Sequence, residues 1–270
     1  MSEKPEHTYT HGYHGSVLRS HLNRTIENSA KYMEHELVAG RSLLDVGSGA
    51  GTITADFARR LAPGHVTAME MDEVARNVTL ATIEKGGIQN VSCVVGDAHA
   101  MPFPDASFDI VHAHQVLQHV SDPVQALREM KRVCKPGGVI AVRDSDYAGF
   151  VWFPASSGLD RWMALYQQAA RKNGGEPNAG RFLLSWALQA GLTDVHSTST
   201  TWCYATKESR EWWGGLWADR ILQSKMAEQL RDQGMASPEE LQEISRAWSA
   251  WSTQNDGWFS LLHGEILCRV

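Results

Sequence analysis

Apolar positions along this chain fall into two patterns, short continuous runs and sets at helical spacing. Leu43-Leu44-Asp45-Val46 is a short apolar run giving way to Gly47-Ser48-Gly49-Ala50-Gly51-Thr52, which predicts a buried strand, a tight turn and a helix start. Ile53, Phe57, Ala58 and Leu61 then line one face of a short helix closed by Pro63-Gly64. His65-Val66-Thr67-Ala68-Met69-Glu70 reads as a second strand, Val91-Ser92-Cys93-Val94-Val95 as a third, and Ser107-Phe108-Asp109-Ile110-Val111 as a fourth. Asp122-Pro123 opens a helix with Gln125 at its third position, and Leu127, Met130 and Val133 on one face. Lys131, Arg132 and Lys135 suit the negative end of that helix, and Pro136-Gly137-Gly138 stops it. Val139–Val142 follows as a fifth strand, Leu192 through Tyr204 as a sixth, and Glu265–Val270 as the last. Alternation of strands and helices to about residue 145 predicts an α/β fold, a parallel sheet with helices on both faces.

Three segments depart from that plan. Residues 147–190 are expected to hold one or two helices, and residues 207–262 two more, the second opened by the capping box Ser237-Pro238-Glu239-Glu240. Seven of the ten tryptophans fall between Trp202 and Trp258. Trp213 and Trp217 share a helix face, as do Leu241, Ile244, Trp248 and Trp251, so these rings either pack a helical cap or line a pocket for a flat, greasy molecule. At the N-terminus, Tyr9-Thr10-His11-Gly12-Tyr13-His14-Gly15 is dense in rings, and a helix is expected from about Val17 to Leu37. Residues 1–40 thus read as an arm and helix able to act as a lid, and residues 41–270 as the main domain with its helical insertions.

Composition narrows the function classes. A formal charge of −6 with no Lys/Arg block argues against nucleic acid as a partner, because phosphate binding needs a basic surface. Apolar content of 43% supports a sizeable core, yet nowhere do about 18 apolar residues run together, and no apolar leader is present, so a cytoplasmic protein without a membrane span is expected. Cys93, Cys134, Cys203 and Cys268 form no C-x-x-C pair and read as reduced thiols. His112, His114 and His119 stand at no recognised ligand spacing, and His11 and His14 have no Cys or carboxylate cluster to complete a site, so no metal is expected.

The chemistry lies first in the glycine loop. Glycines let a backbone approach a ligand closely, and the helix start behind them offers free N–H groups, so a nucleotide-like cofactor fits. A dinucleotide fingerprint needs its third glycine at position 52, where Thr52 stands; here the third glycine comes early, at Gly51, giving D-x-G-x-G-x-G. Glu70 lies about twenty residues on, where a carboxylate can accept two hydrogen bonds from a ribose diol. Met71 beside it could cover an adenine face or simply fill core.

The D-x-G-x-G-x-G loop resembles the first motif of class I S-adenosylmethionine (SAM)-dependent methyltransferases. Gly96-Asp97-Ala98, Met101-Pro102-Phe103-Pro104-Asp105, Ser107-Phe108-Asp109, Val116-Leu117-Gln118-His119-Val120 and Lys135-Pro136-Gly137-Gly138 extend the resemblance to the ubiquinone/menaquinone-biosynthesis type of small-molecule methyltransferase, over roughly residues 41 to 145. It implies a Rossmann-like, seven-stranded, mostly parallel sheet of order 3-2-1-4-5-7-6 with one antiparallel strand. It also implies SAM as cofactor, bound by Asp45, Gly47, Ser48, Gly49, Gly51, Glu70, Met71, Asp97 and Ala98, with Asp97 near the adenine amine.

His114 and Gln115 follow the fourth strand at the carboxyl edge where open sheets bind ligands, and Arg24 is a candidate partner for the methionyl carboxylate. Methyl transfer from a sulfonium needs positioning more than acid–base help, and a base only where the acceptor loses a proton. Candidates for that part are His114, His119, His11 and Tyr13. The tetrapeptide [ND]-P-P-[YF] is absent, His112-Ala113-His114-Gln115 standing in its place, which disfavours nucleic-acid amines as acceptors. The expected partner is a small, aromatic or hydrophobic methyl acceptor, with the protein a monomer or homodimer. An NAD(P)-dependent oxidoreductase and a non-catalytic SAM-binding protein stand as alternatives.

Overall fold

The computed structural model describes residues 15–270. In chain order, helix α1 (Gly15–Leu22) leads through two irregular turns (Ile26–Ala30 and Lys31–Glu36) to strand β1 (Leu43–Val46), helix α2 (Thr52–Leu61), β2 (Val66–Glu70), α3 (Glu73–Lys85), β3 (Val91–Val95) and β4 (Phe108–His114). Helix α4 (Pro123–Val133), β5 (Cys134–Ser145), β6 (Val151–Phe153), α5 (Ser157–Lys172), α6 (Leu183–Gln189) and β7 (Asp194–Tyr204) follow. Helices α7 (Lys207–Gln223), α8 (Lys225–Asp232) and α9 (Pro238–Ser252) precede the last strand, β8 (Trp258–Arg269). No helix among the described residues is long and apolar enough to cross a membrane.

The sheet runs β3-β2-β1-β4-β5-β8-β6, with β7 also paired to β8. Strands β3, β2, β1, β4 and β5 are parallel, while β8 lies antiparallel to β6. It is antiparallel to β5 as well, since Val270 bonds with Gly137 and Gly138 at one end and Leu262 with Asp146 at the other. Leaving β6 aside, the order is the expected 3-2-1-4-5-7-6, but the sheet has eight strands rather than seven. The added strand has a simple cause. β8 begins at Trp258 instead of Glu265, and its longer leading half presents an edge that Val151–Phe153 pairs with. Ser260, His263 and Gly264 had interrupted the apolar pattern there.

The chain divides into two compact units. One comprises residues 21–144, 179–200 and 263–270, and its strands sort side chains by parity. Leu43, Val66, Ile110 and Ala141 face α2 residues Ile53, Phe57, Ala58 and Leu61. Their strand neighbours Leu44, Val111, Ile140 and Val142 face the opposite way, onto Leu127, Met130 and Val133 of α4 and Leu183 and Ala187 of α6. All four residues of β1 are buried, as a strand covered on both faces requires.

The other unit comprises residues 145–178 and 201–262 with the start of α1. Trp162 of α5, Trp217 of α7 and Trp248 of α9 are fully buried, and Trp162 meets the other two edge to face at 4.6 and 4.9 Å. Offset and edge-on arrangements suit the ring quadrupoles. Three helices, not two, occupy 207–262, because Ser224 both ends α7 and caps α8 through Ala227 N. The expected helix from Val17 to Leu37 is likewise divided. Thr25 and Asn28 cap each other, with Thr25 N on Asn28 Oδ1 at 2.9 Å, and start a separate turn. All four cysteines are free thiols; burial pushes those of Cys134 and Cys268 up to about 12, while Cys203 is exposed.

Candidate functional site

The carboxyl ends of β1, β2 and β4 gather the polar groups that the sequence singles out. Parallel pairing sets Asp45 of β1 opposite His112 of β4. The Asp45 carboxylate is buried and doubly held, by His112 Nδ1 at 2.8 Å and by the Thr54 hydroxyl, which donates at 2.6 Å. Beyond it the loop turns with Gly47, Gly49 and Gly51 all at positive φ (69°, 59° and 74°). A Cβ on Gly47 would lie 2.5 Å from a Val116 methyl, so only glycine fits that floor. Gly49 faces open space except for His21 Nδ1 at 3.7 Å from where a Cβ would sit.

Glu70, at the end of β2, turns its carboxylate onto this loop. It accepts the Gly49 backbone N–H and the Ser48 hydroxyl, the latter at 3.3 Å. Ser48 also shares a hydrogen bond with Thr79, whose hydroxyl donates to the Gly49 carbonyl at 2.9 Å. Burial pushes the Glu70 carboxyl up to about 7, against the opposing pull of the Gly49 N–H. A carboxylate with one oxygen on the loop keeps acceptor capacity for a diol.

A small recess opens beside the loop, lined among others by His21, Arg24, Asp45, Gly47, Ser48 and His114. Above it Gln115, at a positive φ of 56°, is a clamp. Its side-chain oxygen accepts from Arg24, which leaves the amide nitrogen to donate to His263 Nε2 at 3.0 Å. That bond assigns the His263 proton to Nδ1. His114 stacks on His263 with ring centroids 6.4 Å apart. Burial first, then Arg24, Arg143 and His263, hold the His114 imidazole well below its usual pKa. It is therefore neutral at neutral pH.

The other candidates lie elsewhere. Met71 is exposed at the end of β2, and Asp97 is exposed just past β3, where its carboxylate accepts His99 N at 2.8 Å and pairs with His99 Nδ1 at 2.7 Å. Ala98 is half-buried next to it, and Gly96 N bonds the Glu70 carbonyl at 2.9 Å, tying the two strand ends together. His119 takes the Gln118 amide at 2.9 Å and does not line the recess. His11 and Tyr13 lie outside the described residues. Unforeseen were His21 in the recess, His112 and Thr54 behind Asp45, and His263 behind Gln115. A strand register would have exposed His112; His263 sits in the half of β8 that its polar residues disguised.

The loop has a floor at Gly47 that admits no Cβ, a carboxylate bonded to its backbone and an arginine in the adjoining recess, a chemistry that suits a nucleotide-like cofactor. Comparison with known proteins agrees. The methyltransferase domain family matches residues 44–142. An uncharacterized methyltransferase of Schizosaccharomyces pombe is 35% identical over 97% of this chain and 96% of its own length. The chain belongs to the SAM-dependent methyltransferases. A ubiquinone/menaquinone biosynthesis C-methyltransferase from Hahella chejuensis is 41% identical over 38% of this methyltransferase and 43% of its own length. The SAM complex of phosphoethanolamine N-methyltransferase 2 from Haemonchus contortus has the same fold, at 18% identity and a TM-score of 0.53, covering 86% of this chain and 49% of that one. Membership sets aside the oxidoreductase reading, as the early Gly51 already suggested.

Proposed function

We propose that this methyltransferase carries a methyl group from SAM to a small, aromatic or hydrophobic acceptor by in-line displacement. The observation that carries the reading is the buried Glu70 carboxylate set onto the Gly47–Gly51 loop next to a recess containing Arg24 and His114. Asp45, held by His112 and Thr54 and lining the same recess, fixes the loop's entry and belongs to the cofactor-binding set. Arg24, Gly47, Ser48, Gly49 and Gly51 hold the methionyl end, Glu70 and Met71 the ribose and adenine, and Asp97 and Ala98 the adenine edge. When bound, SAM supplies a methyl carbon made electrophilic by its sulfonium.

The chain's own part is orientation and exclusion of water. The neutral His114 ring, stacked on His263, gives the recess a polar wall without a competing positive charge. Gln115 keeps Arg24 in place. Residues 1–40 are assigned the role of a lid, with His11 and Tyr13 as closers, while His119, whose Nε2 accepts the Gln118 amide, braces the loop after β4 rather than serving as the base. A ring-shaped acceptor is supported by the relatives named for ubiquinone and menaquinone biosynthesis, whose matches cover 38% and 39% of this chain.

Calorimetric titration with S-adenosylhomocysteine and with NADH tests the cofactor. Saturable binding of the first and none of the second is expected. Incubation with SAM and a panel of phenols, hydroquinones and alkylamines, read by mass spectrometry, tests the activity. Tight cofactor binding with no methylated product across the panel would favour a non-catalytic SAM-binding protein instead.

A further inference from the structure

Asp144, near the end of β5, is fully buried. Its Oδ1 accepts the backbone N–H of Gln118 at 3.1 Å, and the Leu117 N–H also bonds the carboxyl, so the loop leaving β4 is folded over it. Its Oδ2 is buried and has no hydrogen-bond partner among the described residues. The side-chain oxygen of Gln118, itself nearly fully buried, is in the same position, because its amide nitrogen is occupied by His119 Nε2. Two acceptor oxygens, linked through one backbone hydrogen bond, are therefore buried without a donor. They lie at the carboxyl ends of β4 and β5, the edge at which open α/β sheets bind their ligands. Buried polar atoms are paired in the great majority of cases, so two neighbouring acceptors left over at this edge call for a donor from outside the chain.

The surroundings make this carboxyl responsive. Burial pushes it up to about 7, while Arg143 on its own strand and Arg24 from the segment after α1 pull it down. Tyr32 also interacts with it electrostatically, and His119 stands beyond Gln118. A group in this range exchanges a proton readily near neutral pH.

We infer that Asp144 and Gln118 form the subsite that receives the O–H or N–H of the methyl acceptor, with Asp144 as the catalytic residue that takes its proton. This rests on the methyltransferase reading above. The heteroatom–hydrogen bond breaks and the proton moves to the Asp144 carboxylate. The freed pair forms the heteroatom–methyl bond as the methyl–sulfur bond breaks, its electrons staying on sulfur. The acceptor is thereby a hydroxyl or amine compound, not a carbon nucleophile lacking such a donor.

The test is calorimetry on the full chain loaded with S-adenosylhomocysteine. Phenol is compared with anisole, and aniline with N,N-dimethylaniline, so that the two arms separate hydroxyl from amine. At least one donor-bearing probe is expected to bind about tenfold tighter than its methylated partner, the value of a hydrogen bond to a charged group. Asp144→Asn and Gln118→Leu should each erase most of that preference while binding S-adenosylhomocysteine as before. Infrared difference spectroscopy, wild type minus Asp144→Asn so that the Glu70 carboxyl cancels, should show a carboxyl band that titrates near pH 7 and shifts when phenol or aniline binds. Equal binding of both members in each pair, a preference that survives both substitutions, or no probe binding to the loaded wild type would overturn the inference. If Asp144→Asn fails to bind S-adenosylhomocysteine, Gln118→Leu carries the test. Loss of that binding in the wild type would instead strike the cofactor reading, and this subsite with it.

Discussion

The two units solve burial by different means. The sheet-bearing unit divides its aliphatic residues between two faces by strand parity, and among them it buries charge and imidazole: Asp45 with His112, Arg143 with Glu265, and His114, Asp144 and His263 at the carboxyl edge. The other unit is held by rings, with Trp162, Trp217, Trp248, Tyr147 and Tyr166 in one cluster. Arg143 and Glu265 meet at 3.0 Å, with Thr198 and Thr200 donating to the carboxylate, so the buried charge of Glu265 is met by several donors. The contrast teaches where function resides. Buried titratable groups need compensation, and a fold retains such a cluster where chemistry calls for it.

Breaking each unit should therefore give different signatures. The largest stability loss is expected for Trp162→Ala, about 3–5 kcal/mol in urea unfolding, since a fully buried indole leaves a large cavity. A loss under about 1 kcal/mol would show that the aromatic cluster collapses easily. Next comes His112→Ala, expected to cost on the order of 1–3 kcal/mol by leaving a buried Asp45 oxygen without its donor. It should also weaken S-adenosylhomocysteine binding, a readout that Trp162→Ala is not expected to share once the protein is folded.

Gly49→Val inverts that pattern. Its positive φ and its place under Glu70 should remove cofactor binding, with a strain cost of about 1–3 kcal/mol in stability. Undiminished affinity in calorimetry would remove the loop from the site.

Stability should also depend on pH through the sheet-bearing unit. Glu70 and Asp144 have folded pKa values near 7, above their usual 4.5 and 3.8, so the folded state holds more protons than the unfolded one between those limits. Their contribution is present in full below the unfolded values and is lost as pH rises toward 7, at about 2–3 kcal/mol for Glu70. Glu70→Gln should flatten the decline between pH 5 and 7.5 in thermal or urea unfolding. A profile unchanged from wild type would place the Glu70 transition elsewhere. The smallest effect belongs to Arg19→Ala, whose partner Asp219 is half exposed, as is Arg19 itself; a change within about 1 kcal/mol is expected.

Much of this was readable in the order of residues. Local signals were enough for the glycine loop, the parallel strands through Val142, the capped helix at Asp122-Pro123 and the acid at Glu70, because spacing and turn chemistry act over a few neighbours. The family followed from several such motifs in succession. What chain order could not supply was register and partnership. Asp45 meets His112 only because β1 and β4 pair in one alignment, and Gln115 finds Arg24 and His263 across 91 and 148 residues. β6 exists only because β8 is longer than its apolar pattern. Residue type and spacing determined a strand–loop–helix turn of the kind a nucleotide-like cofactor uses. Which imidazoles, which arginine and which buried carboxyl gather at that edge of the sheet was decided by long-range packing, since a side chain's proton affinity and partners depend on what the sheet brings beside it.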